Sequence, residues 1–236
     1  MAEPLVLVPG MMCDARVFEA QISALSAGRI VVISPAIKGE TVEVMAEHIL
    51  QNAPERFALA GLSLGGIVAL EILRRAPDRV CRLALISTSA LSETPSQAAE
   101  REPQIVGAKA GRLGEVMQEV LKPEYLAHGP QRVTVLNLIQ GMALEIGADI
   151  FVRQSRALQR RPDQQKTLRT IRIPTYVICG SYDGLTPLQR QEFMATLIPY
   201  AEFRVIEDAG HLPTVEAPET TTEIMREWLS APVVLR

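Results

Sequence analysis

Three residues of this 236-residue chain stand where their types and surroundings suit chemistry: Ser63 in LAGLSLGGIVAL, Asp183 in YVICGSYDGLTP and His211 in IEDAGHLPTVEAPE. A serine hydroxyl is a poor nucleophile until a base takes its proton. Histidine suits that task, because its ordinary pKa of about 6.5 lies close to neutral pH. A carboxylate beside the histidine fixes its tautomer and stabilises its charged form. Together the three side chains suit acyl transfer through a covalent intermediate.

The glycines around the serine sharpen that reading. Gly61, Ser63 and Gly65 form G-x-S-x-G, and Gly66 follows. FALAG before the serine reads as a strand, and LGGIVALEILRR after it reads as a helix by its apolar spacing. A strand-to-helix turn this tight leaves no room for a Cβ at its glycines. The serine is forced into an unfavourable backbone conformation that projects its oxygen outward, the nucleophile elbow. The helix that follows points its N-terminal amides at the same spot.

Three histidines compete for the role of base. His48 lies within a helical pattern and His128 in a turn, LAHGPQ, whereas His211 follows the last strand. Catalytic groups of parallel α/β sheets sit beyond the carboxyl ends of the strands, so His211 and Asp183 are favoured. Asp208 lies only three residues before His211 and reads as a turn former. Acyl transfer also needs donors for the developing oxyanion. The backbone N–H of Leu64, next after the serine, is one candidate. The N–H of Met11, after the Pro9-Gly10 turn, is the other.

These groups need a scaffold to bring them together. Apolar runs at 5–8, 29–34, 57–61, 82–87, 175–180 and 202–207 read as strands. Most are continuously apolar, as in strands buried on both faces. Helical patterns fall between them at 14–27, 42–53, 64–75, 188–197 and 218–229, with Glu216 and Pro218 opening the last. The alternation predicts a mostly parallel, doubly wound α/β sheet. Strands are missing from 91 to 172, where helical pieces at 104–121, 131–146 and 150–161 predict a helical cap insertion. The division expected is a core of 1–90 and 173–236 with a cap of 91–172. The stretch 156–174 reads as a charged, solvated return path.

Composition narrows the function. A net charge of −3 supplies no basic field for nucleic acid. No apolar run approaches the roughly 20 residues of a membrane span. Cys13, Cys81 and Cys179 each lie beside or within an apolar run and read as buried free thiols. With no secretory signal legible in MAEPLVLVPG, a cytoplasmic location is expected.

In combination, GLSLGG, GSYDGLTP, DAGHLPTVEAPE and the glycine-bearing VPGMM resemble the α/β-hydrolase superfamily, in its lid-bearing carboxylesterase-like branch. The resemblance spans 5–229, with the cap matching only in position. It implies an α/β-hydrolase fold, a Ser63–His211–Asp183 triad, and hydrolysis of carboxylic esters with no cofactor or metal. Pro9-Gly10 departs from the His-Gly of many relatives. Antiparallel strands that often precede the first parallel strand are missing. A serine nucleophile argues against epoxide opening and dehalogenation, for which relatives use aspartate.

The expected pocket is apolar, with Met12, Leu136, Met142, Leu185 and Leu212 as substrate contacts. Val133, Leu138 and Leu144 are further candidates from the cap. Residues 95–172 carry 12 Lys/Arg against 8 Asp/Glu, while the rest carries 12 against 19. A basic cap on an acidic body could steer an anionic substrate or an acidic acyl carrier. Arg153, Arg156, Arg160 and Arg161 have near-helical spacing for one basic face. Two other functions remain open. The same triad serves lactone, thioester, acyl-carrier methyl ester or C–C bond hydrolases, lyases and perhydrolases. A non-catalytic small-molecule receptor would bind tightly and turn over slowly.

Overall fold

A computed structural model describes residues 2–232. Met1 and 233–236, at the ends of the expected core, lie outside the described residues. Six strands form one sheet: β1 Leu5–Val8, β2 Val31–Ile33, β3 Phe57–Leu62, β4 Val80–Ile86, β5 Thr175–Gly180 and β6 Glu202–Ile206. Their order is β2-β1-β3-β4-β5-β6, and every pairing is parallel. The four inner strands are buried along their whole length, and the edge strands β2 and β6 are not. Apolar runs without alternation are what such inner strands require.

The helices are α1 Glu19–Leu25, α2 Val42–Asn52, α3 Leu64–Arg75, α4 Pro95–Lys109, α5 Leu113–Val120, α6 Gln131–Ile146, α7 Ala148–Arg160, α8 Gln165–Leu168, α9 Leu188–Leu197, α10 Pro213–Glu216 and α11 Pro218–Ser230. One face of the sheet packs on α2, α3 and α9 through Met45, Ile49, Leu70 and Met194. The other packs on α1 and α11 through Leu25, Met225 and the fully buried Trp228. That second cluster continues into the inserted helices through Met117, Ile139, Met142 and Phe151. The insertion therefore shares an apolar core with the sheet.

The inserted helices depart from the sequence expectation in three places. The helix expected over 104–121 is two helices, broken where Gly111 takes φ +82°. The first of them starts at Pro95, because Thr94 and Gln97 form a reciprocal cap on its N-terminus. Polar residues and the internal Pro103 mask that turn in the sequence. The stretch 156–174 is not a solvated path: Gln164, Thr167, Leu168 and Ile171 are buried. Among the described residues no single helix is long and apolar enough to cross a membrane.

Candidate active site

The order of the sheet reverses between β1 and β3, and crevices at such points lie beyond the strands' carboxyl ends. Val8 pairs with Gly61, so the loops leaving these strands lie side by side. Ser63 leaves β3, Asp183 follows β5, and His211 follows β6. The 12-residue helix α3 begins directly after Ser63.

The elbow is as tight as its glycines require. A Cβ at Gly61 would land on the Gly65 carbonyl, and one at Gly65 on the Val8 carbonyl. Ser63 sits at φ 53°, ψ −115°, a conformation that costs on the order of 1–3 kcal/mol. Its backbone is held there on both sides. Its N–H donates to Ile86 O at 2.9 Å, and its carbonyl accepts from Thr88 Oγ1 at 2.6 Å and Gly66 N at 2.9 Å.

The three side chains meet. Ser63 Oγ lies 3.0 Å from His211 Nε2. His211 Nδ1 lies 3.0 and 3.1 Å from the Asp183 carboxylate oxygens. Asp183 also accepts from Thr186 Oγ1 at 2.6 Å, Thr186 N at 2.8 Å, Leu185 N at 3.0 Å and Gln191 Nε2 at 3.3 Å. Burial pushes the Asp183 carboxyl up. The His211 charge, its hydrogen bond and the Thr186 donors outweigh that and hold it below the usual carboxylate range. The other candidates stand apart: His48 is half-buried on α2, His128 packs edge-on against Tyr182, and Asp208 is exposed.

Glu216 has a different place from the one expected. It does not open α11. Its carboxylate accepts from Gly210 N at 3.0 Å, Leu212 N at 2.7 Å and Ala127 N at 2.7 Å. His211 N in turn donates to Tyr125 O at 2.8 Å. Glu216 thus ties both neighbours of His211 to the segment just before α6 in the inserted helices, where free backbone N–H groups would otherwise need water.

Among the described residues, neither the Met11 N–H nor the Leu64 N–H meets a protein acceptor. Both residues line the cavity that holds Ser63 and His211. The loop carrying Met11 is tied to the inserted helix α7. Met12, at φ 54°, donates its N–H to Gln154 Oε1 on α7 at 2.9 Å, and Gln154 Nε2 donates to Ala36 O at 2.9 Å. Asp14 N points at Met142 Sδ on α6, 3.4 Å away.

The cavity measures about 750 Å³. Leu185 and Leu212 line it as expected, together with Leu64, Ile67, Met117 and Ile139. Met12, Leu136 and Met142 do not: Met12 and Met142 are fully buried, and Leu136 packs against the core. Val133 and Leu144 face solvent. A charged wall replaces the all-apolar lining that was expected, with Glu93, Arg101, Arg161 and Arg190. The expected basic face on α7 is also divided. Arg156 pairs with Glu102, Arg160 lies 3.5 Å from Glu40, and Arg161 enters the cavity. A second cavity of about 190 Å³, beside α9, holds none of the three residues. Cys13 and Cys179 are buried, and burial pushes both thiols up to about 12, which disfavours the thiolate at neutral pH. Among the described residues no group of His, Cys, Asp and Glu is placed to hold a metal.

This fold and this constellation define a class. Residues 5–224 match the alpha/beta hydrolase family, and the chain belongs to it. It is 29% identical to the pimeloyl-[acyl-carrier protein] methyl ester esterase of Aromatoleum aromaticum, over 94% of this chain and 96% of that protein. The protein of the same name from Aliivibrio salmonicida is 26% identical, over 94% and 90%. Among solved structures, a thermophilic esterase from Thermogutta terrifontis, described as malate bound, superposes with a TM-score of 0.87. It is 29% identical, over 97% of this chain and 90% of that one. The enol-lactonase from Burkholderia xenovorans LB400 shares the fold, with a TM-score of 0.86 and 23% identity over 98% and 92% of the two chains.

Proposed function

We propose that the protein hydrolyses carboxylic esters through an acyl-enzyme on Ser63. His211 takes the Ser63 proton as the oxygen attacks the ester carbonyl. Asp183 holds the imidazole by Nδ1 and stabilises its charged form. The N–H groups of Met11 and Leu64 receive the oxyanion. His211 then protonates the leaving alcohol, and the acyl-enzyme forms. Water, deprotonated by His211, releases the acid and restores the serine. The inserted helices at 91–172 act as the cap over this site. No step needs a cofactor.

The observation that carries this reading is the unbroken relay Ser63 Oγ–His211 Nε2–Asp183 at 3.0 Å per link, beside two unbonded N–H groups. A receptor needs no activated hydroxyl. The named relatives favour a methyl ester carried on an acyl carrier as one substrate. Pairing of Arg156 and Arg160 with cap and loop carboxylates reduces the basic face available to such a carrier.

The test is hydrolysis of p-nitrophenyl esters from acetate to decanoate by wild type and Ser63→Ala. Wild type should turn them over, and the variant should lose about a million-fold in kcat, as removal of a triad nucleophile does elsewhere. Equal rates in both proteins would refute the mechanism. Adding a carrier-linked methyl ester to the panel separates that substrate from simple esters.

A further inference from the structure

We propose that Arg161, with Arg190 and Arg101 beside it, binds a terminal oxyanion of the substrate, a carboxylate or a phosphate. The ester cleaved at Ser63 then carries a negative group at the end remote from the scissile bond. This rests on the ester-hydrolase reading and adds the substrate class.

Arg161 lines the same cavity as Ser63 and His211. Its Nε is buried without a hydrogen-bond partner, and no salt bridge to it forms among the described residues, whereas its neighbours Arg156 and Arg160 reach Glu102 and Glu40. The residue as a whole is half-buried, but a buried N–H left without an acceptor is costly, and the guanidinium has further donors to offer a ligand. The acid nearest in charge terms is Glu93, and Arg101 already occupies it. Arg101 Nε donates to both Glu93 oxygens at 2.9 Å, and Nη2 adds a third bond at 2.5 Å. Glu93 is thereby neutralised, and Arg161 and Arg190 are left without a bonded carboxylate.

The electrostatics agree. Burial lowers the Arg161 pKa to about 10; Glu93 opposes the shift, and Arg101 and Arg190 add to it. Arg161 still carries its proton at neutral pH. An incoming oxyanion would relieve both the repulsion and the lost hydration. The planar fork of a guanidinium matches a carboxylate or a phosphate by paired N–H bonds. The other acids around the cavity, Glu100 and Glu119, are exposed.

The experiment compares kcat/KM for monomethyl esters of C4 to C8 dicarboxylic acids with methyl alkanoates of equal length. Methyl 6-phosphonooxyhexanoate forms a third arm. Wild type should prefer the best anionic ester by about ten- to a hundredfold, the usual weight of charged hydrogen bonds. Arg161→Gln should abolish that preference, read as the ratio of the two kcat/KM values within the same variant. The carboxylate and phosphate arms identify the anion, and the best chain length gives its distance from Ser63. No preference in wild type, or a preference that survives Arg161→Gln, would overturn the proposal. If Arg161→Gln fails to fold, Arg190→Gln should lower the preference severalfold, and an unchanged preference there overturns it equally.

Calorimetry on the Ser63→Ala protein supplies a readout without turnover. It should bind the favoured half-ester, and Ser63→Ala/Arg161→Gln should not. Binding of the anion without hydrolysis by wild type would sink the hydrolase reading alone. Hydrolysis of neutral esters without anion preference would sink only the present one.

Discussion

The elbow at 61–66 and the loop at 9–12 lie side by side, and each carries one unbonded N–H beside Ser63. They are held in opposite ways. The elbow is held by backbone contact with its own neighbours: Gly61 against Gly65, Gly65 against Val8, and Ser63 N on Ile86 O. The loop at 9–12 has local bonds from Cys13 to Gly10 O and Met11 O, and its long-range hydrogen bond goes to a side chain 142 residues away, Gln154. The elbow is thus part of the sheet, while the loop depends on the inserted helices being in place. On the proposed mechanism the inserted helices would therefore do more than flank the cavity: through Gln154 they would position the loop that carries one of the two oxyanion donors.

The largest effect should come from attacking the elbow. Gly65→Ala places a methyl group on the Val8 carbonyl, where only a backbone shift of β1 can make room. Folded protein should be lost or destabilised by about 3 kcal/mol or more, measured by chemical denaturation. A variant as stable as wild type would show that the elbow is looser than its contacts indicate.

Asp183→Asn leaves both holders intact and breaks only the relay. It should lower kcat by about 10⁴-fold at neutral pH, as loss of the orienting carboxylate does in a serine protease. The same residue gives a pH signature. Its carboxyl is lowered in the folded protein, so its stabilisation is present above its unfolded pKa of about 4. That contribution is lost as pH falls through the lowered folded value. Asp183→Asn should therefore flatten the acid side of the stability curve, and an unchanged slope would contradict the assignment.

Gln154→Leu strikes the second holder. It leaves Met12 N and Ala36 O unpaired in the interior, at a cost of about 1–3 kcal/mol each. The kcat should fall by up to about 10²-fold, because one oxyanion donor loses its position. KM should change little. A KM effect alone would mean that the cap acts only on binding. Glu216→Gln should give the smallest change, a few-fold in kcat. The amide keeps its shape and one acceptor, yet it must serve three N–H groups.

The sheet was legible because its inner strands are buried on both faces and read as unbroken apolar runs. Strand positions agreed to within two residues at every end. The convergence of Ser63, Asp183 and His211 was legible because each follows a strand or its loop, among glycines that close backbone approach explains. Thr186 and Gln191, which complete the hydrogen bonding of Asp183, were not anticipated, although Asp-x-x-Thr in DGLTP carries the spacing of a side-chain-capped turn. The cap was read least well. Its first helix hides behind polar residues and Pro103, and its apolar residues were assigned to the pocket when several belong to the core.

By itself the sequence determined the α/β alternation, the elbow and the order of Ser63, Asp183 and His211. Those features come from local sterics and from the burial period of each segment. Only the tertiary structure decided that Gln154 holds the Met11 loop, that Glu216 ties both sides of His211 to the segment just before α6, and that Arg161 faces the cavity unpaired. Each is a contact between segments far apart in the chain. Its partner is chosen by how the inserted helices pack on the sheet, which no local pattern of residues encodes.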